Sequence, residues 1–326
     1  MHDPRVVTAD ELRALAFADG ATQRRYLVLD LRNNASANTQ AAAWLKSRPY
    51  AVIALPPPAH AVSSLIDACD VVLESPSALP ALIANIERSP IAASVLVQTL
   101  RATARLAPED ALVVESLAYS TLQAGPEFAR WQAERKVSDS PWVETGPPVI
   151  LARDADSLSI ELNRPLNRNA ISVQMRDALV EAFELAAADR SIATMGVSGA
   201  GACFSVGGDL AEFGLARDPA LAHMIRMERL PARALLPSVD RTVFHLHGAC
   251  IGAGIELPAF AARVTARASA FFQLPEIRFG LIPGAGGCVS LPRRIGRQRT
   301  AYLALSGRRI SARTALAWGL IDAITA

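Results

Sequence analysis

Short, almost continuously apolar runs occur near the beginning of the chain. Residues 26–31 and 51–55 are two such runs, and each ends at polar or proline residues. This pattern predicts buried strands. Residues 65–69 then read as a short helix, and residues 71–73 as a further strand. Strands that alternate with helices in this way indicate an α/β arrangement for this part of the chain.

The period of the apolar positions changes near residue 79. Between residues 79 and 135 the spacing becomes three and four, as in the series Leu112, Glu115, Leu117, Ala118 and Leu122. Such spacing predicts amphipathic helices. The pair Gly125-Pro126 predicts a break, because glycine commonly ends a helix and proline commonly begins one.

A boundary between two regions is predicted near residue 147. Serine, aspartate, glycine and proline cluster at residues 138–141 and 145–148, where they disfavour a continuous helix. Strand-like runs follow, separated in several places by helical stretches, at residues 149–153, 157–163, 194–198, 242–246 and 270–273. We therefore predict an N-terminal region of strands and then helices over residues 1–147, and an α/β domain over residues 148–326.

Composition narrows the class of protein. Hydrophobic residues make up 51% of the chain and charged residues 20%, which allows a large core and excludes global disorder. The net charge is only +2, so no strong excess of basic residues favours nucleic-acid binding. Four widely spaced cysteines without a CxxC pair argue against a simple zinc motif and a disulfide framework.

Two kinds of apolar segment are missing from the sequence. The first residues lack the apolar segment of a signal peptide. The chain also lacks an apolar run of the ~18–20 residues that a membrane-spanning helix needs. We therefore expect a soluble, cytoplasmic protein with neither a membrane nor a nucleic acid as partner.

Three glycine-rich segments combine a strand end, a tight turn and an acidic residue. They are residues 198–210, 247–257 and 272–287. Turns of this kind expose backbone N–H groups, which favour a developing negative charge. A single glycine-rich turn is usually just a turn. The sequence contains neither a Walker A motif nor a G-x-G-x-x-G motif, so phosphate binding of those types is not supported.

Taken together and in this order, the three segments resemble the enoyl-CoA hydratase/isomerase (crotonase) superfamily. Further matches lie at residues 162–165, 168–170, 291–296 and 306–322. The resemblance runs from about residue 148 to the C-terminus. It implies a crotonase-like spiral core of ββα units, an acyl-CoA ligand, and assembly as a homotrimer or hexamer. The first 147 residues would be an additional region that passes from α/β to helical structure.

The resemblance also implies roles for individual residues. Glu256 and Glu276 match the two glutamates that hydratases of the family use, and the backbone N–H groups of Val206 and Ala253 match its oxyanion hole. The residues expected to bind substrate are Arg168, Asn169, Ala170, Gly207, Gly208 and Asp209. Without the resemblance, Glu256 and Glu276 could equally be acids that complement a helix dipole or cap a helix.

Two carboxylates and two N–H donors suit a reaction through a thioester enolate. One carboxylate can take a proton from water while the other delivers one, and each preorganised donor stabilises the enolate by about 3–4 kcal/mol. We expect an enoyl-CoA hydratase of fatty acid metabolism that performs syn addition of water to a 2-enoyl-CoA. The alternatives are an isomerase or another enolate-forming enzyme, and a catalytically silent acyl-CoA-binding subunit.

No cofactor is expected apart from the coenzyme A of the substrate. His223, His245 and His247 have no carboxylate or cysteine at convincing ligand spacing, so we expect packed or hydrogen-bonded histidines and no metal site.

The helical part of the N-terminal region resembles another part of the same family. Family members continue for several helices after the element that corresponds to residues 319–322, and residues 89–93 and 111–128 resemble that tail in order and composition. We therefore predict that the C-terminal helical subdomain has moved to the front of the chain, as in a circular permutation, and packs against the core. The alternative is an unrelated N-terminal domain.

Overall fold

The computed structural model describes residues 6–8, 11–12, 24–31, 39–57, 64–135 and 145–325. The predicted linker cluster at residues 138–141 lies outside these ranges. The cluster at residues 145–148 leads directly into a strand that begins at Val149.

Helices and strands alternate over most of the described chain. The strands are β1 (Val6–Thr8), β2 (Tyr26–Asp30), β3 (Ala51–Ala54), β4 (Val71–Val72), β5 (Val149–Asp154), β6 (Ser157–Leu162), β7 (Thr194–Gly199), β8 (Thr242–Leu246), β9 (Ala249–Ile251), β10 (Arg263–Arg267), β11 (Phe271–Gln273), β12 (Ile310–Ser311) and β13 (Ala323–Thr325). The helices are α1 (Thr39–Lys46), α2 (Ser64–Ala68), α3 (Leu79–Arg88), α4 (Pro90–Thr103), α5 (Pro108–Gln123), α6 (Pro126–Glu134), α7 (Val173–Ala188), α8 (Pro219–Arg229), α9 (Pro231–Leu235), α10 (Ala253–Glu256), α11 (Gly287–Ile295), α12 (Arg297–Ser306) and α13 (Ala312–Trp318). Short 3-10 helices cover Pro76–Ala78, Leu236–Arg241, Pro258–Phe260 and Glu276–Phe279.

Strands β1 to β4 form a parallel sheet in which the spatial order follows the sequence order. Leu27 and Leu29 face one hydrophobic cluster, to which α1 and α2 contribute, whereas Val28 and Ile53 face a larger cluster shared with the rest of the molecule. A parallel sheet that is buried on both faces needs such continuous apolar runs. The strands predicted over residues 26–31, 51–55 and 71–73 are therefore confirmed.

The predicted helices between residues 79 and 135 are also confirmed, as α3 to α6. Proline stands in the first turn of α4, α5 and α6, where its missing N–H costs no intrahelical hydrogen bond. The predicted break at Gly125-Pro126 separates α5 from α6.

The second half is built on a six-stranded sheet with the order β13-β10-β8-β7-β6-β5, in which only the β5–β6 pair is antiparallel. A smaller sheet has the order β12-β11-β9. The five strands predicted in this half are confirmed as β5, β6, β7, β8 and β11, and the α/β class is confirmed with them. Strands β9, β10, β12 and β13, which are two to five residues long, are not predicted by the sequence pattern.

Helices α3 to α6 lie directly against the second half. Asn85 on α3 donates its side-chain N–H groups to the carbonyls of Leu305 (3.0 Å) and Ser306 (2.8 Å). Thr103 on α4 donates its hydroxyl to the carbonyl of Cys288 at 2.9 Å. The hydrophobic cluster that contains the cores of both halves is continuous. The apolar faces of these helices are therefore buried against the second half.

One buried carboxylate joins the first sheet to both neighbouring elements. Asp70, which is 0% exposed, precedes β4 and accepts N–H groups of Arg101 on α4 (2.9 Å) and Arg297 on α12 (2.7 Å). It also accepts the backbone N–H of Val52 in β3 at 3.0 Å. Among the described residues, no helix is both long enough and apolar enough to cross a membrane.

Candidate active site

The three glycine-rich segments meet along their backbones. Ser205 in the first segment pairs with Cys250 in the second, and the N–H of Ile251 donates to the carbonyl of Ser205 at 3.1 Å. The second segment contacts the third, because the N–H of Gly252 donates to the carbonyl of Gln273 at 2.9 Å. Segments that are far apart in the sequence therefore form one continuous surface.

Close backbone approach explains the glycine at position 207. Gly207 has a φ of 86°, and a Cβ atom there would lie 2.6 Å from the carbonyl oxygen of Ile251. The same Cβ position would lie 3.4 Å from the backbone nitrogen of Ala253. The turn that contains Gly207 and the N-terminus of α10 are thus in contact.

Glu256 and Glu276 are brought to the same place. Glu256 ends α10 and is 2% exposed, and Glu276 begins a 3-10 helix just after β11 and is 8% exposed. A Cβ atom placed on Gly252 would lie 2.7 Å from Oε1 of Glu276 and 3.8 Å from Oε1 of Glu256. Both carboxyl groups therefore face the same small space beside Gly252.

The two carboxyl groups have different surroundings. Oε2 of Glu256 accepts the backbone N–H groups of Ala285 (2.7 Å) and Gly287 (2.9 Å). Burial raises the pKa of Glu256 to about 7, although these N–H groups act in the opposite direction. Oε2 of Glu276 has no hydrogen-bond partner among the described residues. Burial and the neighbouring charge of Glu256 raise the pKa of Glu276 well above its usual value.

Comparison with known proteins agrees with this geometry. The sequence pattern of the enoyl-CoA hydratase/isomerase family matches residues 154–326, more than half of the chain. The chain belongs to this family. The 2,3-dehydroadipyl-CoA hydratase of Escherichia coli (strain K12) is 34% identical over 175 residues, which cover 53% of this chain and 68% of that protein.

Two further relatives extend the comparison. The mevalonyl-coenzyme A hydratase SIDH of Beauveria bassiana is 31% identical over 175 residues, which cover 51% of this chain and 62% of that protein. The crystal structure of enoyl-CoA hydratase from Thermoplasma volcanium matches with a TM-score of 0.51 at 33% identity, and covers 55% of this chain and 72% of that chain. The family and the crotonase-like fold predicted from the sequence are therefore confirmed.

The oxyanion-hole assignment needs one correction. The N–H of Val206 is already donated to the carbonyl of Arg168 at 3.2 Å, so Val206 is not a free donor in this structure. The carbonyl lies there because Arg168 adopts a left-handed conformation, with a φ of 51°. Within the described part of the chain, the N–H groups of Gly208 and Ala253 have no acceptor. Gly208 therefore replaces Val206 as the candidate donor beside Ala253.

Two of the residues expected to bind substrate make hydrogen bonds to the surrounding loops, and their role in binding stays a prediction. Asn169 is fully buried, and its amide N–H groups bond to the carbonyls of Ala200 (2.9 Å) and Cys203 (3.0 Å). Oδ1 and Oδ2 of Asp209 accept N–H groups of Ala211 (3.0 Å) and Asn167 (3.2 Å) respectively.

The other expected substrate-binding residues differ in exposure. Arg168 is exposed, Ala170 is 4% exposed, Gly207 is buried, and Gly208 is half-buried. Arg168, Gly208 and the half-buried Asp209 are therefore the expected substrate-binding residues that have accessible surface at this edge of the site.

The N-terminal helices contribute side chains that the sequence motifs did not identify. Glu115 on α5 is 1% exposed and accepts the backbone N–H groups of Gly286 and Cys288, both at 2.7 Å. The ring of Trp131 on α6 has its centroid 4.9 Å from that of Phe279 and 6.1 Å from that of Phe213. A carboxylate within the apolar period of α5 was the available signal for Glu115.

Each of the three histidines makes a hydrogen bond to a different partner. Nδ1 of His245 is 3.0 Å from the hydroxyl of Thr265, and Nδ1 of His223 is 2.9 Å from the hydroxyl of Ser116. Nε2 of His247 donates to the carbonyl of Gly201 at 3.0 Å. In the described ranges, no group of three or more His, Cys, Asp or Glu side chains could hold a metal ion.

Proposed function

We propose that the protein is an enoyl-CoA hydratase, which adds water across the C2–C3 double bond of a 2-enoyl-CoA. One observation carries the proposal: two buried carboxyl groups with different surroundings, Glu256 and Glu276, face the same space beside Gly252. Hydration needs both a base for water and an acid for carbon, and a pair of carboxyl groups with different proton affinities supplies both.

Glu256 suits the role of base. As a carboxylate it accepts two N–H groups from residues 285 and 287, which favour its ionised form. It takes a proton from water as the water oxygen bonds to C3. The π electrons of the C2–C3 bond then move toward the thioester, whose carbonyl oxygen becomes negatively charged.

Glu276 suits the role of acid. Burial and the charge of Glu256 favour its protonated form by raising its pKa. It delivers its proton to C2, and the enolate returns to a thioester. Glu256 is then protonated and Glu276 ionised, so that one proton transfer between the two carboxyl groups restores the site. The reaction needs no cofactor besides the coenzyme A of its substrate.

The backbone N–H groups of Gly208 and Ala253 are the proposed donors to the enolate oxygen. A donor of this kind contributes about 3–4 kcal/mol to transition-state stabilisation. Ala253→Pro removes one N–H at the first position of α10, where proline is tolerated. We expect kcat to fall by about 10²- to 10³-fold, with a melting temperature close to that of the unsubstituted protein. Full activity of a folded variant would show that Ala253 is not a donor.

Hydration of 2-butenoyl-CoA, followed by the loss of absorbance of the enoyl thioester, tests the function. Glu256→Gln and Glu276→Gln should each lower kcat by at least about 10²-fold, with the Kd for a saturated acyl-CoA unchanged. Conversion of a 3-enoyl-CoA without hydration would instead identify an isomerase. Tight binding of acyl-CoA without turnover of either substrate would identify a silent binding subunit.

A further inference from the structure

The glycine loop, residues 283–287, lies between two carboxylates that come from different halves of the chain. Four successive backbone N–H groups, those of residues 285 to 288, alternate between them. Glu256 accepts the groups of Ala285 (2.7 Å) and Gly287 (2.9 Å). Glu115, on α5 of the N-terminal region, accepts those of Gly286 and Cys288, both at 2.7 Å.

The alternation couples the two carboxylates mechanically. Each peptide group is a rigid plane, and only two soft dihedral angles at the intervening Cα atom join it to the next, so a displacement of the N–H groups of residues 286 and 288 also disturbs those of 285 and 287. Gly286 has a φ of 106°, which allows successive N–H groups to point to opposite sides. The two hydrogen bonds that hold Glu256 therefore depend on those that hold Glu115.

The hydrogen bonds of Glu115 require the ionised carboxylate, in which both oxygens are acceptors. Each of its two oxygens faces an N–H donor, and the loop leads into the N-terminus of α11, where negative charge is favourable. A glutamine at this position has one acceptor oxygen and one NH2 group. It would leave either Gly286 or Cys288 facing another donor instead of an acceptor.

We propose that Glu115 is a positioning residue of the active site, which orients the glycine loop toward Glu256 and acts on Glu276 through its charge. This inference rests on the proposed hydratase function. It makes α5, and with it the N-terminal region, an electrostatic part of the active site, although Glu115 itself does not touch the reacting atoms.

Several charged or titratable groups face this arrangement. Around Glu115 they are Glu256, Glu276, Tyr119, Cys288, Arg226 and His223, the last two on α8. Arg226 is the cation in this set, and it bonds to Ser116, next to Glu115, through Nε at 2.9 Å. Burial and the charge of Glu256 raise the pKa of Glu115 well above its usual value, and burial together with the charges of Glu256 and Glu115 raises the pKa of Glu276. The three carboxyl groups therefore titrate as a coupled set.

Replacing Glu115 with glutamine should narrow the pH profile of hydration. The pKa of Glu276 falls when the neighbouring charge of Glu115 is lost. Glu276 must be protonated to act as acid, so the alkaline limb of the kcat profile moves to lower pH. The pKa of Glu256 rises when the loop moves, because the N–H groups of residues 285 and 287 then favour its ionised form less. Glu256 must be ionised to act as base, so the acidic limb moves to higher pH.

The experiment compares Glu115→Gln with Glu115→Asp in the full-length protein. For Glu115→Gln we expect kcat to fall by about 10- to 100-fold, with KM little changed and the pH profile narrowed. Glu115→Asp keeps the charge but shortens the side chain, so kcat should fall while the alkaline limb stays in place. An unchanged kcat and profile in Glu115→Gln, or a displaced alkaline limb in Glu115→Asp, would overturn the proposal.

Glu127 provides a matched control. It is also buried on an N-terminal helix, and it accepts two backbone N–H groups, those of Ile91 (2.8 Å) and Ala92 (2.9 Å), at the start of α4. Glu127→Gln should lower the melting temperature and leave the pH profile of kcat in place. The same narrowing of the profile in both variants would mean that a general loss of structure, and not Glu115, explains the result.

A readout without turnover separates this inference from the proposed function. In the resting protein, the amide proton resonances of Ala285 and Gly287 report the ionisation of Glu256, because both N–H groups bond to it. Their titration midpoint should move to higher pH in Glu115→Gln and stay in place in Glu127→Gln. An unmoved midpoint in Glu115→Gln overturns the inference. If the protein hydrates no 2-enoyl-CoA but the midpoint moves, the function fails while the positioning role of Glu115 stands.

Discussion

The two parts of the N-terminal region relate to the second half in different ways. The parallel sheet β1–β4 has a hydrophobic cluster of its own on one face, joins the main hydrophobic cluster through the other, and pairs with α12 through Asp70 and Arg297. Helices α3 to α6 lie in the main hydrophobic cluster, and α5 also supplies Glu115 to the glycine loop. Position in the sequence thus does not decide which residues complete the site. Both parts pack against the second half, but of these two contacts it is the helices that reach the candidate site.

Separating residues 148–326 from helices α3 to α6 should have the largest effect on activity and solubility. We expect residues 148–326 expressed alone to be inactive and poorly soluble, because removal of α3 to α6 exposes apolar surface and leaves Gly286 and Cys288 without Glu115. Dye binding to exposed apolar surface and the hydration assay measure the two effects.

A chain that lacks only the sheet β1–β4 tests whether the sheet is needed for hydration. Residues 76–326 retain the helices and the glycine loop together, so this chain should keep measurable hydration with a lower melting temperature. A soluble and fully active 148–326 fragment would contradict the assignment of the helices to the active unit.

The ion pairs of Asp70 should affect stability more than catalysis. Asp70→Asn leaves two arginines near the junction without a carboxylate partner, and breaking a buried pair of this kind costs about 3–5 kcal/mol. Denaturant unfolding should show this loss, while kcat in the folded protein stays the same. Asp67→Asn is the matched control, because Asp67 is exposed on the same segment. A large fall in kcat in Asp70→Asn would place the sheet in the active unit.

Substitution of one tryptophan in each part compares the contributions of helices α3 to α6 and of the sheet to kcat/KM. Trp131 on α6 contacts Phe213, which follows the first glycine-rich segment, and Phe279, which lies within the third. Trp44 lies on α1 beside the sheet. Aromatic pairs contribute about 0.5–1.5 kcal/mol each, so Trp131→Ala should lower kcat/KM by about 10-fold. Trp44→Ala should leave kcat/KM unchanged. Equal losses of kcat/KM in the two variants would show that the helices and the sheet do not differ in their contribution to the site.

Much of the fold could be predicted from the sequence because its signals are local. The apolar run at residues 26–31 and the three-and-four spacing after residue 79 each depend on neighbouring residues alone. Strands β12 and β13 were missed because two- and three-residue strands carry too little pattern to be distinguished from loops. Their pairing depends on partners that are distant in the sequence.

The candidate site was predictable only in part, for a related reason. The glycine-rich segments around Glu256 and Glu276 carry motifs that a resemblance can identify. Whether an N–H group is free depends on tertiary contact, and so the engagement of Val206 with Arg168 was not visible in the sequence. Glu115 lies on a different helix from Glu256, and only folding brings the two to the same loop.

Moving the helices back behind the core should have the smallest effect, and it tests the proposed circular permutation. Residues 77 and 78, just before α3, line the same cavity of about 460 Å³ as Trp318 at the end of α13. The start of the helical segment therefore lies close to the last helix of the core. A chain that begins at residue 148, continues to 326 and then through a glycine-serine linker to residues 79–135 should retain the hydration activity of the 76–326 chain.

The same joined chain with Glu115→Gln should lose activity to the same extent as the full-length variant, because α5 would return to the same contacts. An inactive joined chain, alongside an active 76–326 chain, would favour an unrelated N-terminal domain over a permuted one.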